Sequence, residues 1–533
     1  MKRLLLAVFV LAAICAPLAL FAASQSEGTA GAATVAAADP YAPIEGKRYH
    51  ISWVGYQTAP IAENPVMVNY WNQKFNIEIE VWNIDRNKWF EILDLKLAAG
   101  EVPDNIWCKW MDAYRRYINL GVLAEVPMEA VKKYAPDVCR MVNLEGPEAF
   151  GYATVNGKMY GVPRGFNFNA IYRRALAWRG DWLENVGVAK VPDTLQEYED
   201  AFYKFVRADP DGNGKNDTYA LSLAGLECIY GAFGYMNEKW QKRDGKLVYG
   251  SIQPEVKQAL ALMNKWYRDG VLDPEFLKDE NTTSEEWFIS DSFFNGRIGF
   301  TGKGSYNHWY AGGAYKGDVP GPTIVALEQR NPAAFKSLVF SLPPLGPEGK
   351  RGMYLNTTFE GHVTAYGSHL EKERDKIGKM LQVGNDMCAK DYETYVSVNY
   401  GIKGQHWDFD ENGNVVSFGD WSKGQVRSAN GGHSLLLNFK YMTYDKRLNR
   451  AQTEWAEKNR MDFGGITNEL VVSLPSDPDY KEDLLEMERQ VLNQIITGER
   501  PVDYFDEFVN AWRKAGGAVL EKEANDWYRS TGL

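Results

Sequence analysis

The sequence predicts an α/β protein whose main sheet is mostly parallel and carries helices on its faces. Strand-like and helix-like patterns alternate over residues 49–110, which is typical of such sheets. The length of 533 residues indicates two or three domains with separate cores. A composition of 45% hydrophobic and 24% charged residues is that of a globular protein.

The first elements follow each other as strand, helix, strand, helix and strand. "YHISWVGY" is a short strand, "NPVMVNYWNQKF" has a helical period, and residues 76–84 alternate apolar and polar residues. A second helix ends at a turn near residues 100–104, and a buried strand follows. Ligands of such sheets bind beyond the carboxyl ends of the strands. We therefore expect residues 107–110 to lie near a binding cleft.

The middle of the chain is richer in helices. Thr194 followed by Glu197 predicts a capping box at the start of one helix. Residues 253–272 form a second amphipathic pattern that ends at Gly270. Residues 340–352 are rich in Pro and Gly and look like a connector, and the last hundred residues are charged and helical.

The N-terminus has the pattern of a secretory signal. Lys2 and Arg3 precede an apolar run, and small residues then converge on a cleavage site after Ala22 or Ala23. Residues 1–23 are therefore predicted to be a signal peptide and residues 24–44 a flexible tether.

This signal favours the periplasm or the cell-envelope exterior. Lipidation at Cys15 is the less favoured alternative, because Ile14 stands where a small residue is normally needed.

Charge and residue composition limit the classes of ligand that the protein is expected to bind. A formal net charge of −11 without a basic cluster argues against nucleic acid. The 17 Trp, 30 Tyr and 24 Phe suit either large cores or surfaces that stack on sugars. The remaining cysteines are widely spaced, so isolated buried thiols are expected rather than zinc ligands or a disulfide framework, although one pair could oxidise; they are Cys108, Cys139, Cys228 and Cys388.

The stretch "DPDGNGKNDTY" has the spacing of a calcium loop. With Asp209 as position 1, EF-hand spacing gives the ligands Asp211, Asn213, the Lys215 carbonyl and Asp217, with the turn glycine in its proper place. Ala220 replaces the usual Glu at position 12. The alternative is an Asx- and Gly-rich turn that binds nothing.

Several motifs together resemble a known family, the large solute-binding proteins of bacterial ABC importers, especially the branch that binds oligosaccharides. In chain order the motifs are "LAAGEVPDNIW", "NGKMYGVPRGFNFNAIYRRALAWRGDWLENVGV", "PDTLQEYEDAFYKFVRADPDGNGKNDTYAL", "FFNGRIGF", "NYGIKGQHW" and "IITGERPVDYFDEFVNAWRKAGG". The resemblance runs from about residue 45 to the C-terminus. In the relatives a carboxylate directly follows the position-9 Asp of the calcium loop, where this chain has Thr218.

The resemblance implies a type II periplasmic-binding-protein fold, with two α/β lobes joined by hinge strands around a ligand cleft. It places residues 45–162 and about 350–405 in lobe one. Residues 163–345 and about 406–533, with the calcium loop, fall in lobe two. The hinge crossings are then expected near residues 160–164, 341–352 and 400–421.

Four segments are expected to line the cleft, because sugars need aromatic faces for their C–H side and amide or charged groups for their hydroxyls. For each side chain the alternative is a structural role in the core or an ion pair. The candidates are Trp107, Lys109, Trp110, Arg164, Phe166, Asn167, Asn169, Lys303, Tyr306, Asn307, His308, Trp309, Glu360 and His362.

These observations predict a monomeric, non-catalytic receptor that binds an oligosaccharide and presents it to the permease of an ABC transporter, with calcium in a structural role. One alternative is a secreted, calcium-stabilised carbohydrate-active enzyme, which would need two carboxylates flanking one bond. Another is a binder of peptides or other solutes on the same fold. No compact nucleophile or metalloprotease motif occurs in the sequence.

Overall fold

A five-stranded sheet organises the first part of the chain. In the computed structural model, residues 39–531 are described, except 56–57, 86–87, 147–148, 166–173, 279–286, 356–361, 434–435, 437–438, 462 and 473. Up to residue 163 the elements are β1 (Tyr49–Val54), α1 (Val66–Phe75), β2 (Ile77–Val81), α2 (Trp89–Ala98), β3 (Asn105–Lys109), α3 (Met111–Asn119), α4 (Met128–Tyr134), α5 (Pro136–Glu145), α6 (Ala149–Tyr152), β4 (Thr154–Val155), β5 (Lys158–Met159) and β6 (Gly161–Pro163).

The second part of the chain is built around a short antiparallel sheet. Its elements are β7 (Ala177–Arg179), α7 (Gly180–Asn185), α8 (Leu195–Arg207), α9 (Glu227–Ala232), β8 (Trp240–Arg243), β9 (Lys246–Tyr249), α10 (Pro254–Arg268), α11 (Asp291–Phe294), β10 (Phe300–Thr301), α12 (Tyr306–Trp309), α13 (Pro322–Arg330), α14 (Pro332–Ser337) and β11 (Leu338–Phe340).

The remaining elements return to the first sheet and then to the second part. They are β12 (His362–Tyr366), α15 (Arg374–Cys388), α16 (Tyr392–Tyr400), β13 (Trp407–Phe409), β14 (Val415–Ser417), α17 (Gly424–Ala429), α18 (Met442–Leu448), α19 (Arg450–Lys458), α20 (Asp477–Thr497), α21 (Tyr504–Trp512), a π-helical turn (Arg513–Gly517) and α22 (Ala518–Thr531). Short 3₁₀ helices lie at Leu223–Gly225, Gly250–Ile252, Ser368–Lys372 and Gly419–Ser422.

The first sheet has the strand order β2-β1-β3-β12-β6. β1 runs parallel to β2 and β3, and β12 is antiparallel to β3 and β6. The predicted alternation of strands and helices over residues 49–110 is confirmed. The three parallel strands end at the same edge, where the sequence placed the cleft.

The second sheet has the order β10-β7-β11 and carries a dense aromatic core. Trp178 of β7 is fully buried, and its ring lies 5.3 Å from Phe202 of α8 and 4.6 Å from Phe300 of β10. The capping box predicted at the start of α8 is confirmed, since the Thr194 side chain accepts from the Glu197 amide and the Glu197 carboxylate accepts from the Thr194 amide.

Two main cores define two lobes. The first lobe's core runs from Tyr41 to Val162 and from Val363 to Tyr441, and the second lobe's core runs from Leu176 to Met353 and from Phe463 to Tyr528. Cys108, Cys139, Cys228 and Cys388 are free and buried, as predicted.

The core positions shift the predicted lobe limits. Residues 350–355 side with the second lobe, since Met353 is part of its core, and residues 406–448 side with the first. Trp407 and Val415 pack on Tyr392 of α16. The cores change from one lobe to the other between Val162 and Leu176, between Tyr354 and Val363, and between Leu448 and Ala456.

Candidate ligand-binding cleft

Three strand ends bring predicted site residues together at one edge of the first sheet. Lys109 is the last residue of β3, His362 begins β12, and the two face each other in the antiparallel register. Arg164 directly follows β6, and its amide donates to the His362 carbonyl over 2.9 Å. Residues from three distant parts of the sequence thus become neighbours.

A stacked set of side chains lies on this edge. The Trp107 indole Nε1 donates to Nδ1 of His362 over 3.1 Å. The Arg164 guanidinium carbon lies 4.1 Å from the centre of the Trp107 ring, a cation–π contact. The Trp110 ring meets His362 edge-on, with the centroids 4.9 Å apart. We call Trp107, Trp110, Arg164 and His362 the edge cluster.

The edge cluster is strongly desolvated. Only 3% of the Arg164 surface is exposed, and burial lowers the pKa of its guanidinium to about 10, so the group stays charged at neutral pH. Burial, and then the positive charge of Arg164, hold the pKa of His362 well below its ordinary value. The imidazole is therefore neutral beside a cation.

Trp110 has an unusual backbone. It has a φ of 75°, in a region that costs a non-glycine residue about 1–3 kcal/mol. It precedes α3, and 40% of its surface is exposed. Strain of this kind, at an exposed aromatic beside a buried cation, is typical of a binding site.

A cavity of about 400 Å³ opens between the lobes. Trp110, Met111 and Tyr152 line it from the first lobe, while Trp240, Asn468 and Arg489 are among the lining residues of the second. Arg489 pairs with Glu238, another lining residue, at 2.8 Å. The cavity therefore offers indole faces together with amide and charged groups, which is the mixture that sugars need.

The second-lobe wall of this cavity was missed from the sequence. Trp240 lies in the hairpin of β8 and β9, and Asn468 and Arg489 come from the last part of the chain. The Asp-Gly turn of "KRDGKL" signals the hairpin. No local pattern marks the other two residues as neighbours of Trp240.

The segment after β10 does not line this cavity. Trp309 and Tyr306 are fully buried in the core of the second lobe, and the Trp309 indole donates to the Lys303 carbonyl over 2.8 Å. Trp309 and Tyr306 therefore have the structural role in the core that was the alternative to ligand binding. Lys303 is also buried. The bulky rings fill the space under α13 and leave no face for a ligand.

Next to them, His308 has a structural role. Its Nδ1 accepts from the Ser305 amide over 2.9 Å, and its ring stacks on Phe288 at 4.5 Å. Burial lowers the pKa of His308 to about 4. Asn307 is half-buried on the same short helix.

Four predicted ligand-binding residues lie outside the described residues. They are Phe166, Asn167, Asn169 and Glu360.

The predicted calcium loop is exposed, and hydrogen bonds from its own side chains hold its turn. The Asn213 amide nitrogen donates to Asp211 at 2.8 Å and to Asp217 at 3.1 Å, so two carboxylates converge on one atom. Asp209 accepts from the amides of Asn213 and Gly214, and the Lys215 amide donates to Asn213. Within the described chain, no group of three or more His, Cys, Asp or Glu side chains is placed to hold a metal ion.

Two further residues near the loop point into the second lobe. The Thr218 hydroxyl donates to the Phe205 carbonyl over 2.9 Å in the buried interior. Ala220, at position 12, is fully buried in the core, where a Glu would be costly. Asp211 and Asp217 lie close together in the loop, because both accept from the side-chain nitrogen of Asn213.

No helix within the described ranges is long and apolar enough to cross a membrane.

Comparison of the sequence with known proteins gives two similar relatives in Bacillus subtilis. Lipoprotein LipO is 25% identical over 479 residues, covering 85% of this chain and 87% of its own. The polygalacturonan/rhamnogalacturonan-binding protein YtcQ is 24% identical over 483 residues, with coverages of 85% and 86%.

Solved structures share the fold at low identity. The alginate-binding protein AlgQ2 without calcium ion has a TM-score of 0.62 at 15% identity, covering 91% of this chain and 98% of its own. The kestose complex of FusA from S. pneumoniae has a TM-score of 0.61 at 14% identity, with coverages of 91% and 99%. The fold is thus the two-lobed α/β fold of periplasmic binding proteins.

A family profile described as bacterial extracellular solute-binding protein matches residues 67–343, which is more than half of the chain. The chain therefore belongs to the family of bacterial extracellular solute-binding proteins.

Proposed function

We propose that this protein is an exported receptor that captures an oligosaccharide between its lobes and delivers it to the permease of an ABC transporter. The main observation in support of this function is the cavity between the lobes. The exposed and strained Trp110 lines it from the first lobe, and Trp240 lines it from the second. Indole faces on opposite walls suit the two C–H faces of a pyranose ring.

The names of similar proteins support a carbohydrate ligand. YtcQ is named for polygalacturonan and rhamnogalacturonan, AlgQ2 for alginate, and the FusA structure contains kestose. These ligands differ in charge and linkage, so they support the class of ligand and not one sugar.

A binding role without catalysis fits the charges of the cavity. Its acidic lining residues are Glu238, Asp477 and Glu482. Glu238 is paired with Arg489, Asp477 accepts from the Leu474 amide, and Asp477 and Glu482 both belong to α20, on one wall of the cavity. A glycosidase needs two carboxylates that flank one bond. We therefore assign the cleft to capture, with closure of the lobes around the ligand.

A thermal-shift panel of neutral and acidic oligosaccharides with the purified protein tests this function. At least one saccharide is expected to raise the Tm, and titration calorimetry should then give a single site with Trp110→Ala weakened at least tenfold. Stabilisation by none of the saccharides would overturn the proposal. Release of shorter sugars from the best ligand, followed by chromatography, would favour the enzyme instead.

Delivery to a permease is tested in cells. Uptake of the labelled ligand should be lost when the gene is deleted, and restored by the wild-type chain but not by Trp110→Ala. Restoration by a binding-deficient variant would contradict the receptor role.

We further propose that export uses residues 1–23 as a cleaved signal, with attachment through Cys15 as the alternative. Mass spectrometry of the mature N-terminus separates the two, since cleavage after Ala22 or Ala23 removes Cys15 and lipidation retains it.

A structural calcium ion in the loop of residues 209–217 is also proposed. Asp211 and Asp217 would hold it where they now share the Asn213 amide nitrogen. A divalent cation would relieve the repulsion between carboxylates that lie this close.

A further inference from the structure

Arg164 is a buried cation whose charge is not matched by a bound carboxylate. Its guanidinium lies against the Trp107 ring, and its Nε has no hydrogen-bond acceptor. Among the described residues, no Asp or Glu forms a salt bridge with it. Burying an isolated charge is unfavourable, so such a group indicates a missing anion.

Other cations gather at the same place. Arg164, Lys109 and Lys440 all act on the imidazole of His362, where each opposes protonation. Lys109 faces His362 across the strand pair, and Arg164 repels the charge of Lys440. The edge of the first sheet is therefore positively charged, and we call Arg164, Lys109 and Lys440 the positive pole.

Asp445 is a described carboxylate that acts on these cations. It favours the charged forms of Arg164 and Lys440 without forming a salt bridge with Arg164, and it accepts a hydrogen bond from the Tyr395 hydroxyl in the buried interior. His362 is neutral and accepts from Trp107, so it supplies no negative charge. Arg164 and Lys440 are therefore two cations that face the same carboxylate, Asp445, so an anionic group of a ligand would add balancing charge.

The geometry suits a planar anion. The Arg164 guanidinium lies 4.1 Å from the centre of the Trp107 ring, and the planar fork of a guanidinium matches a carboxylate better than a point charge does. Trp110 touches His362 on one side and lines the cavity on the other. A sugar stacked on Trp110 would therefore bring a carboxylate substituent towards Arg164.

We propose that Arg164, flanked by Lys109 and Lys440, is the subsite for a carboxylate of the ligand, and that the ligand is an acidic oligosaccharide containing uronate units. This inference rests on the proposed function as a sugar receptor, and it adds the charge class of the sugar.

The test compares matched trisaccharides by titration calorimetry. The probes are the galacturonate and mannuronate trisaccharides as free acids, their full methyl esters, and maltotriose as a neutral sugar. At least one free acid is expected to bind at least tenfold more tightly than its own ester, because the ester keeps the hydroxyl groups and loses the charge. Affinity for the acid should also fall as salt rises.

Substitutions test which residues cause the preference for the free acid over its ester. Arg164→Gln should weaken binding of the acid at least tenfold and leave the ester unchanged, so that the two bind equally. Lys440→Gln should give a smaller loss of the same kind. Arg116→Gln is the matched control, because Arg116 pairs with Asp94 at 2.8 Å outside the cavity lining; it should leave the affinities for acid and ester unchanged. If Arg164→Gln fails to fold, Lys440→Gln and the salt series decide.

The outcomes separate this inference from the proposed function. Equal binding of acid and ester by the wild type, or tight binding of maltotriose alone, overturns the acidic ligand and leaves the sugar receptor intact. An unchanged acid preference in both Arg164→Gln and Lys440→Gln overturns the subsite. Binding of no saccharide overturns both proposals.

Discussion

The Trp107 indole donates its proton to Nδ1 of His362 over 3.1 Å, across 255 residues of sequence. The acceptor nitrogen must be unprotonated, and burial together with Arg164 holds the pKa of His362 well below its ordinary value of 6.5. This bond ties β3 to β12 at the cleft edge, and it exists only with neutral His362.

Acid should therefore destabilise the protein through His362. Since the folded pKa is depressed, the unfolded chain takes up the proton first, and stability is lost as pH falls below 6.5. His362→Asn keeps an acceptor for Trp107. Between pH 7.5 and 5.5 the wild type should lose about 1 kcal/mol of unfolding free energy relative to the variant. Urea unfolding at both pH values measures this, with the exposed His50→Asn as the control substitution. A difference that does not change with pH would contradict a neutral His362.

Asp104 is expected to be a strong stabilising group. Its carboxylate accepts from the Ser52 amide at 2.7 Å, from Lys376 at 2.8 Å and from His369 at 2.9 Å. Burial alone would raise its pKa, but these partners lower it to about 2. Asp104→Asn leaves the mostly buried Lys376 without its partner and should cost about 3 kcal/mol.

Chemical denaturation at pH 7 gives this cost. Asp94→Asn changes a half-buried carboxylate that accepts from Arg116 and from the Tyr117 hydroxyl, and it should cost less than Asp104→Asn because Arg116 is far more exposed than Lys376. Because the folded pKa of Asp104 is depressed, its contribution is complete above pH 3.8 and is lost as pH falls towards 2. Equal costs for the two variants would refute the role of burial.

Glu488 should weaken the fold at alkaline pH. It is buried on α20, accepts from the Tyr249 hydroxyl at 2.9 Å and from Ser251, and burial raises its pKa to about 7. Because the folded pKa is raised, the wild type is at full stability below pH 4.5 and loses stability as pH rises through 7. Glu488→Gln keeps an acceptor oxygen and stays neutral.

The variant should thus match the wild type near pH 4.5 and exceed it by up to about 3 kcal/mol at pH 8. Melting curves across this range measure the difference. A variant that is less stable than the wild type at pH 8 would show that the pKa of Glu488 is not raised in the fold.

Calcium should stabilise the chain through Asp211. Saturating calcium should raise the Tm by a few degrees and excess chelator should reverse the rise, because an ion that binds only the folded chain stabilises it. Asp211→Ala should remove this response. Asp410→Ala is the matched control, since Asp410 closes a similar Asx turn with Asn412 and Asn414. If only Asp410→Ala loses the calcium-dependent rise in Tm, the ion binds at the Asp410 turn and not at Asp211.

Trp110 should separate stability from binding. Trp110→Gly removes an indole from the cavity and relieves a φ of 75°, a conformation that glycine adopts freely. We expect an unchanged or higher Tm together with a loss of sugar affinity of at least tenfold. The exposed Phe418→Ala, which removes an aromatic that does not line the cavity, should leave affinity unchanged. If Trp110→Gly keeps its affinity for the sugar, the Trp110 ring does not stack on the ligand.

Local signals predicted most of the scaffold. The alternation of β1 to β3 and the Thr194–Glu197 cap depend on neighbours a few residues apart, so a single sequence contains them. The orientation of an aromatic side chain does not follow from its neighbours in the same way. "NHW" ends in Trp309, which packs 6.0 Å from Phe293 and from Phe340, whereas the tryptophan in "CKW" is exposed.

Long-range contacts account for what was missed. The Arg489–Glu238 pair on the cavity wall joins residues 251 positions apart. Trp407 and Val415 likewise pack with Tyr392 of α16, and no local pattern marks these residues as neighbours.

The position of β12 in the first sheet also sets an order of events during synthesis. β3 pairs with β1 on one side and with β12 on the other, while β6 is attached through β12 alone. A nascent chain shorter than about 366 residues therefore has β3 with an open hydrogen-bonding edge, and β6 has no place to dock. Closing so long a loop is slow. Most of the polypeptide has to be delivered before its first lobe can fold, and until then that open strand has to be shielded from other chains.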